Sequence, residues 1–149
     1  MDLDERDFNE ILAEIALKGE ITKLTKIVEK YLQNLSNRDF IKFDEKYVKI
    51  IFYCILMNLK FFRVKSEMEV NRHYPDLLLI PREEQDKYFG VMIEFKYLKK
   101  EEETKLEEKQ KEAKEQIQQY CAFDEIESTP NLRKYTVVAV VDKIYVEEV

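Results

Sequence analysis

The chain has 149 residues, of which 45% are hydrophobic and 38% charged, with only two glycines and three prolines. Such a composition is typical of a compact, helix-rich globular protein and excludes the disordered and fibrous classes. The formal net charge of −6 counts against a nucleic-acid partner, because affinity for phosphate backbones comes chiefly from Lys and Arg. A nucleic-acid binder would need a local basic rim, for which the candidates are Arg63, Lys65, Arg72, Lys99, Lys100, Arg133 and Lys134.

The sequence shows neither a long apolar run nor a secretory start. No apolar run is as long as the roughly 18 residues that a membrane-spanning helix needs. The first five residues are acidic and lack the basic start and apolar stretch of a signal peptide. We therefore expect a cytoplasmic protein, in which the isolated Cys54 and Cys121 are reduced thiols, buried or without a role.

Two amphipathic helices are predicted at the start of the chain. The first covers about residues 4–17, with apolar residues at helical spacing and Gly19 as its C-cap. The second covers about residues 21–35 and is broken by the polar residues 36–39. Each apolar stripe must lie on a core or on a partner. We assign residues 1–40 to a helical N-terminal extension and 41–149 to the main domain.

A third helix and three strands should follow. The helix begins at Asp44 and runs to about Lys60, and its interior is apolar nearly all round, which indicates burial on more than one side. From residue 62 to 70 the hydrophobic period changes from 3.6 to 2, which is typical of a half-exposed strand. After a turn at 71–73, buried strands are predicted over 74–80 and 88–97, joined by a polar loop.

The last third of the chain predicts one helix and two strands. A charged helix rich in Glu and Lys covers about residues 101–122, an apolar β-branched strand covers 135–141, and a short turn leads to a strand over 144–149. Three sequential strands form an antiparallel meander, and the helix crosses over to add the next strand to the same sheet. The expected fold class is therefore α/β.

Three charged residues interrupt the apolar strands: Asp76, Glu94 and Lys96. Burying an unpaired charge is costly, so each needs a partner. Side chains alternate along a strand, so Glu94 and Lys96 project from the same face, and Asp76 joins them if its strand lies alongside. Two carboxylates beside a cation would suit a Mg²⁺ site for cleaving a phosphodiester.

The order of elements and these residues resemble the PD-(D/E)XK phosphodiesterases, which include type II restriction enzymes and RecB-like exonucleases. Their αβββαβ core matches the order between residues 44 and 141. Pro75-Asp76 and Glu94-Phe95-Lys96 match the signature on the second and third strands, and Gln116 and Tyr120 match the Gln-x-x-x-Tyr of RecB-like members.

The resemblance is closer to the nuclease domain found C-terminally in a group of bacterial and archaeal AAA-ATPase-like proteins. Ser66-Glu67-Met68-Glu69, Ile93-Glu94-Phe95-Lys96 and Ala113-x-x-Gln116-Ile117 match that group. Tyr74-Pro75 departs from it, because Gly-Arg is usual before the Asp, and so does the first helix, which has no His. The sequence contains no Walker Gly-rich loop, so this chain cannot itself be the ATPase. The resemblance implies an ATPase partner, and a homodimer formed through the N-terminal helices is the alternative partner.

The resemblance implies a restriction-endonuclease-like αβββαβ core with a mixed sheet, preceded by two N-terminal helices. It also implies a Mg²⁺- or Mn²⁺-dependent nuclease, with DNA as the expected substrate. Asp76, Glu94 and the backbone carbonyl of Phe95 would hold the metal. Lys96 would orient or deprotonate the attacking water. The remaining candidates are Glu45, for a second metal, and Gln116 and Tyr120, which would position the strand or brace Lys96.

Simpler interpretations of the same residues stay open. Glu94 and Lys96 could form the wet face of an amphipathic strand, and Asp76 could be a turn residue. Glu45, which follows Asp44, could serve the helix dipole. The alternative functions are a catalytically inactive module of the same fold that partners an ATPase, and a helical adaptor.

Overall fold

The computed structural model describes residues 2–35, 43–66, 75–83, 86–120, 126 and 129–149. Its helices are α1 (Glu5–Lys18), α2 (Thr22–Gln33), α3 (Glu45–Leu56) and α4 (Leu106–Tyr120), with a 3-10 helix at Lys100–Lys105 before α4. Its strands are β1 (Phe62–Ser66), β2 (Leu77–Pro81), β3 (Gly90–Leu98), β4 (Leu132–Val140) and β5 (Lys143–Glu148). The predictions made for residues 67–74, for Cys121 and for the boundary at residue 40 fall outside the described residues.

The five strands form one mixed sheet in the order β1-β2-β3-β4-β5. Strands β1, β2 and β3 are successively antiparallel, β3 and β4 are parallel, and β4 and β5 are antiparallel. The parallel pair needs a crossover, which α4 supplies. The predicted αβββαβ core with a mixed sheet, preceded by two N-terminal helices, is confirmed.

Helix ends follow local chemistry. Asp4 caps α1 by accepting a hydrogen bond from the Asp7 N–H, and the Asp7 carboxylate accepts from the Asp4 N–H in return. Gly19 ends the helix with φ of +66°, a left-handed conformation that a glycine adopts without strain. Asp44 caps α3 in the same way as Asp4 caps α1, by accepting from the N–H groups of Lys46 and Tyr47.

The sheet has two covered faces that differ in their packing. Helices α1, α2 and α3 lie on one face, where their apolar stripes share a core with the strands; the strand members are Leu77, Leu79, Val91, Ile93, Phe95, Tyr135, Val137 and Ala139. Helix α4 lies on the other face over β3 and β4. Two apolar clusters lie on this face. One contains Leu78, Ile80, Met92, Ile117, Tyr120 and Ile126, and the other contains Leu98, Val138 and Val140. Because strand side chains alternate, residue parity decides which face each one joins.

The N-terminal helices are bound to the sheet by polar contacts as well as by apolar packing. The Phe89 N–H donates to the Ala16 carbonyl at 3.0 Å, and the Ile144 N–H donates to the Glu29 carboxylate at 2.7 Å. The division of the chain at residue 40 stays a prediction. None of the described helices is long and apolar enough to cross a membrane.

The structure corrects three predicted elements. Strand β2 begins at Leu77 rather than at residue 74, since Pro75 has no N–H to offer the ladder. The charged helix opens as a 3-10 helix and becomes α-helical only at Leu106; its first turn is tightened by the bond from the Glu102 N–H to the Lys99 carbonyl, at 2.9 Å. Strand β4 begins at Leu132, because it pairs with β3 from Gly90 onward.

Helix α3 was predicted to be buried on more than one side, and its outward side is exposed instead. Val48 and Phe52 are fully buried, whereas Tyr47, Ile50 and Met57 are each about half exposed. The sheet covers the inward side of the helix, and α2 contacts it only in part.

Candidate active site

Asp76 and Glu94 lie side by side at the edge where β2 begins. The antiparallel register pairs Leu77 with Ile93, which puts Asp76 opposite Glu94. The two side chains are 5% and 3% exposed. The Phe95 N–H donates to the Asp76 carboxylate at 2.8 Å, and the Asp76 N–H donates to the Glu94 carboxylate at 3.4 Å. Each carboxylate is therefore bonded to the neighbouring strand's backbone.

This pairing strongly perturbs Glu94. Burial, and then the negative charge of Asp76, raises the pKa of Glu94 to about 8. The hydrogen bond from the Asp76 N–H and the positive charge of Lys96 act in the opposite direction, and the charge of Glu45 adds a smaller upward contribution. A divalent cation between the carboxylates would favour both ionised forms and would reverse the shift.

Lys96 lies on the same face of the sheet as Glu94. It is half-buried and two residues beyond Glu94 in β3, so both side chains project toward the α4 side. Its positive charge opposes the rise in the pKa of Glu94. The pKa of Glu112 in α4 is lowered mainly by its hydrogen bond with Lys109 and, to a smaller extent, by the charge of Lys96. The Glu112 carboxylate is bonded to the Lys109 ammonium at 2.8 Å. Glu112 was not selected from the sequence, although it stands one turn before Gln116 and two before Tyr120.

Phe95 belongs to the site through its backbone only. Its ring points to the opposite face, where it packs on Phe52 with centroids 4.9 Å apart. The N–H and C=O of a strand residue point toward the same edge, and the Phe95 N–H points to Asp76. The Phe95 carbonyl oxygen therefore points toward the same edge as the Asp76 carboxylate.

Glu45 stands in the first turn of α3, directly after its cap. The position suits the helix dipole. The Glu45 carboxylate is also near enough to affect Glu94, since its charge contributes to the raised pKa of Glu94. Among the described residues, no three or more His, Cys, Asp or Glu side chains are grouped closely enough to hold a metal ion. Glu45 therefore does not form a three-acid cluster with Asp76 and Glu94.

Helix α4 contributes the two remaining sequence candidates. The Tyr120 ring is buried in the apolar cluster with Ile117 and Met92. The Gln116 carbonyl oxygen is buried and makes no hydrogen bond within the described part of the chain. The structure thus places Tyr120 in the packing between helix and sheet, and leaves Gln116 with an unused acceptor.

Thr136 is a polar residue of this face that the sequence analysis missed. The parallel register pairs it with Glu94, on the side away from Asp76. It is 1% exposed, and its hydroxyl has no hydrogen-bond partner among the residues described. The available signal was a single threonine inside the apolar run from residue 135 to 141.

The oxygen atoms at the site fit a hard divalent cation. Two carboxylates and one backbone carbonyl are the oxygen ligands that Mg²⁺ accepts, and Mg²⁺ keeps several of its waters when few protein ligands are present. A set with only two acids is therefore sufficient for this ion. Asp76, Glu94 and the Phe95 carbonyl are the groups that could hold it.

The candidate basic rim is divided between the two faces. Register places Lys65 beside Leu78 and Arg63 beside Ile80, on the same face as the carboxylate pair. Arg133 lies on the other face, where its guanidinium bonds Glu148 at 2.7 Å and the Lys18 carbonyl at 2.8 Å. Arg72 lies outside the described residues.

A groove of about 430 Å³ between α2 and strands β4 and β5 contains none of the candidate site residues. Several of its polar groups are already bonded: Glu29 accepts from the Ile144 N–H, and Arg133 pairs with Glu148. The two buried side-chain oxygens that lack a hydrogen bond among the described residues, those of Gln116 and Thr136, lie instead on the α4 side of the sheet.

Comparison with known proteins identifies a family for most of the chain. A family model described as the PD-(D/E)XK nuclease superfamily matches residues 43–148. No curated protein matches the sequence significantly. The family match includes α3, the whole sheet, α4 and all of the candidate residues.

Proposed function

We propose that this chain, which belongs to the PD-(D/E)XK nuclease superfamily, is a metal-dependent phosphodiesterase that hydrolyses nucleic acid. The observation that carries the proposal is the buried pair of Asp76 and Glu94, with Lys96 on the same face. Burying two like charges together is costly unless a cation accompanies them. The fold maintains this arrangement through two backbone hydrogen bonds.

Mg²⁺, or Mn²⁺ in its place, is the proposed cofactor. The Asp76 and Glu94 carboxylates and the Phe95 carbonyl would hold it. When bound, such an ion polarises the phosphate and lowers the pKa of a water ligand. Glu45 is the proposed contributor to a second ion.

Lys96 is the proposed partner of the attacking water. Its ammonium group lies on the same face as both carboxylates and near the Glu112 charge. From there the ammonium would orient the water and stabilise the charge that develops on the phosphate, whereas deprotonation of the water would require the neutral amine of Lys96. Gln116 offers a buried carbonyl oxygen that can accept a hydrogen bond from an ammonium group, which supports a bracing role. The burial of Tyr120 supports a role in positioning α4.

DNA is the proposed substrate. Arg63 and Lys65 on edge strand β1 face the same side as the carboxylate pair, so they would meet a phosphate backbone that enters from that edge. The resemblance to AAA-ATPase-associated nucleases supports an ATPase partner. A homodimer formed through the N-terminal helices is the alternative partner, and the proposed location is the cytoplasm.

The net charge of −6 favours a second candidate, a catalytically inactive module of the same fold that partners an ATPase. Such a module would keep the fold without metal-dependent cleavage. Metal-dependent cleavage therefore separates the two functions.

The test combines Mn²⁺ titration by calorimetry with cleavage of labelled DNA in Mg²⁺. Wild type should bind and cleave, and Asp76→Asn should do neither while remaining folded. Glu29→Gln is the matched control, because Glu29 is a half-buried carboxylate that also accepts from a backbone N–H, on the other side of the molecule. Cleavage by Asp76→Asn at the wild-type rate would refute the assignment, and binding without cleavage of any nucleic acid would favour the inactive module.

A further inference from the structure

We propose that Thr136 is a positioning residue whose hydroxyl donates a hydrogen bond to the Glu94 carboxylate and holds it in the orientation that binds the metal. The inference rests on the proposed function, since it assigns a task to a residue beside the metal-binding pair. Neither the sequence motifs nor the family match assigns a role to this position.

Thr136 lies directly beside Glu94 in the sheet. Glu94 is in the central strand β3, with Asp76 opposite it on the β2 side and Thr136 opposite it on the β4 side. Neighbouring strands are about 4.8 Å apart, and paired residues project from the same face. Thr136 is thus the lateral neighbour of Glu94 on the side away from Asp76.

The hydroxyl of Thr136 is buried without a hydrogen-bond partner among the described residues. Thr136 is 1% exposed, and its oxygen makes no hydrogen bond within the described chain. Burying a hydroxyl without a partner destabilises a fold, whereas valine has the same shape and carries no such penalty. Strand β4 already uses valine at 137, 138 and 140. The hydroxyl therefore destabilises the metal-free fold, and what it adds over valine is a hydrogen-bond donor.

The Glu94 carboxylate lacks a strong hydrogen-bond donor among the described residues. Within the described residues its carboxylate accepts one hydrogen bond, the long one of 3.4 Å from the Asp76 N–H. A buried ionised carboxylate needs strong donors, and a carboxylate with one oxygen on a metal still has the other to satisfy. Rotation about the first side-chain torsion of Thr136 to another staggered position would bring its hydroxyl toward Glu94.

A structural role for the hydroxyl makes a different prediction. Gln116 on α4 also has a buried, unpartnered oxygen, so a water held between Gln116 and Thr136 would satisfy both. In that case Thr136→Val would lower stability. If the hydroxyl serves Glu94, the same substitution should weaken metal binding without lowering the stability of the metal-free protein.

The experiment measures Mn²⁺ affinity by calorimetry and the melting temperature in EDTA for three variants. Thr136→Val should lose about 10-fold or more in affinity, as is usual for a residue that orients a metal ligand, with a melting temperature at or above that of wild type. Thr136→Ser keeps the hydroxyl and should retain most of the affinity. Thr25→Val is the matched control: Thr25 is buried, but its hydroxyl donates to the Thr22 carbonyl at 3.0 Å, so this variant should lose stability and keep its affinity.

Three results would overturn the inference. Unchanged affinity in Thr136→Val, equal loss in the Ser and Val variants, or a lower melting temperature in EDTA for Thr136→Val would each mean that the hydroxyl does not serve Glu94. If wild type binds Mn²⁺ and Asp76→Asn does not, these results refute the role of Thr136 alone. If wild type does not bind Mn²⁺, the metal site itself is refuted and the inference with it.

Discussion

Tyr135 and Thr136 are neighbours on β4 and point to opposite faces of the sheet. Their hydroxyl groups differ in hydrogen bonding, and the polar groups of the two faces differ in the same respect. The Tyr135 hydroxyl donates to the Gly19 carbonyl at 2.6 Å and so joins the sheet to the N-terminal helices. The Thr136 hydroxyl has no partner in the described structure. On the first face the polar groups stabilise the fold, and on the α4 face the chain buries two carboxylates and leaves oxygens unsatisfied. This difference supports the proposal that the ligand binds on the α4 face.

Apart from the loss of cleavage in Asp76→Asn, the largest effect on the cleavage rate is expected for substitution of Lys96. Lys96→Gln should reduce the single-turnover cleavage rate about 100-fold, the scale seen when one donor to a developing charge is removed. Its Mn²⁺ affinity should be equal to or above that of wild type, because a positive charge near the cation has gone.

Lys30→Gln is the control for Lys96, since Lys30 is an exposed lysine of α2, which lies on the other face of the sheet and outside the candidate basic rim. It should cleave at the wild-type rate. A Lys96→Gln protein whose cleavage falls only as far as its metal affinity falls would show that Lys96 supports the metal site and not the chemical step.

The α4 face should also make the metal-free protein sensitive to pH. Burial and the Asp76 charge raise the pKa of Glu94 from 4.5 to about 8, so the folded state binds this proton more tightly than the unfolded chain does. The resulting stability is complete below about pH 4.5 and is lost as pH rises through about 8. Denaturant unfolding in EDTA across this range should show the decline in wild type, and Glu94→Gln should lack this component. An identical decline in both proteins would contradict the burial of a protonated Glu94.

The same comparison predicts a smaller effect on nucleic-acid binding. Lys65→Gln should weaken DNA binding several-fold and reduce the slope of log affinity against log salt by about 1, since Lys65 is on the face of the carboxylate pair. Binding is measured in the Asp76→Asn background so that no cleavage occurs. Lys143→Gln, at the opposite edge of the sheet, is the control and should change neither value.

The smallest effect concerns the structural face. Tyr135→Phe removes the bond to the Gly19 carbonyl and should lower the free energy of unfolding by about 1–2 kcal/mol, without changing Mn²⁺ affinity. Thr136→Val should instead weaken Mn²⁺ binding without lowering the free energy of unfolding. If both substitutions changed stability alike and left Mn²⁺ affinity unchanged, the two faces would not differ in the way proposed.

Much of the fold followed from the sequence because two signals agreed. Alternating hydrophobicity located the first strand and short apolar runs located the next three, and single charges within those runs identified Asp76, Glu94 and Lys96 as unusual. The start of α4 was less predictable, because Glu and Lys are good α-helix formers and their pattern gives no sign of the 3-10 helix at Lys100–Lys105. The exposed side of α3 was also missed, since apolar residues on all sides of a helix do not show which side its neighbours cover.

The missed site residues have a different explanation. A threonine in a β-branched strand is ordinary, and only the register of β3 against β4 shows that Thr136 lies beside Glu94. Glu112 is one of many acids in a charged helix, and only the packing of α4 brings it near Lys96. Periodicity gives the face of a residue within its own element, whereas neighbours across elements depend on tertiary pairing.

A crystal structure of the protein grown with Mn²⁺, with the ion located by anomalous scattering, tests the central claim most directly. The account predicts an ion coordinated by the Asp76 and Glu94 carboxylates and the Phe95 carbonyl, with Lys96 beside it and the Thr136 hydroxyl turned toward Glu94. An ion bound elsewhere, or the two carboxylates neutralised by Lys96 with no ion between them at saturating Mn²⁺, would contradict it.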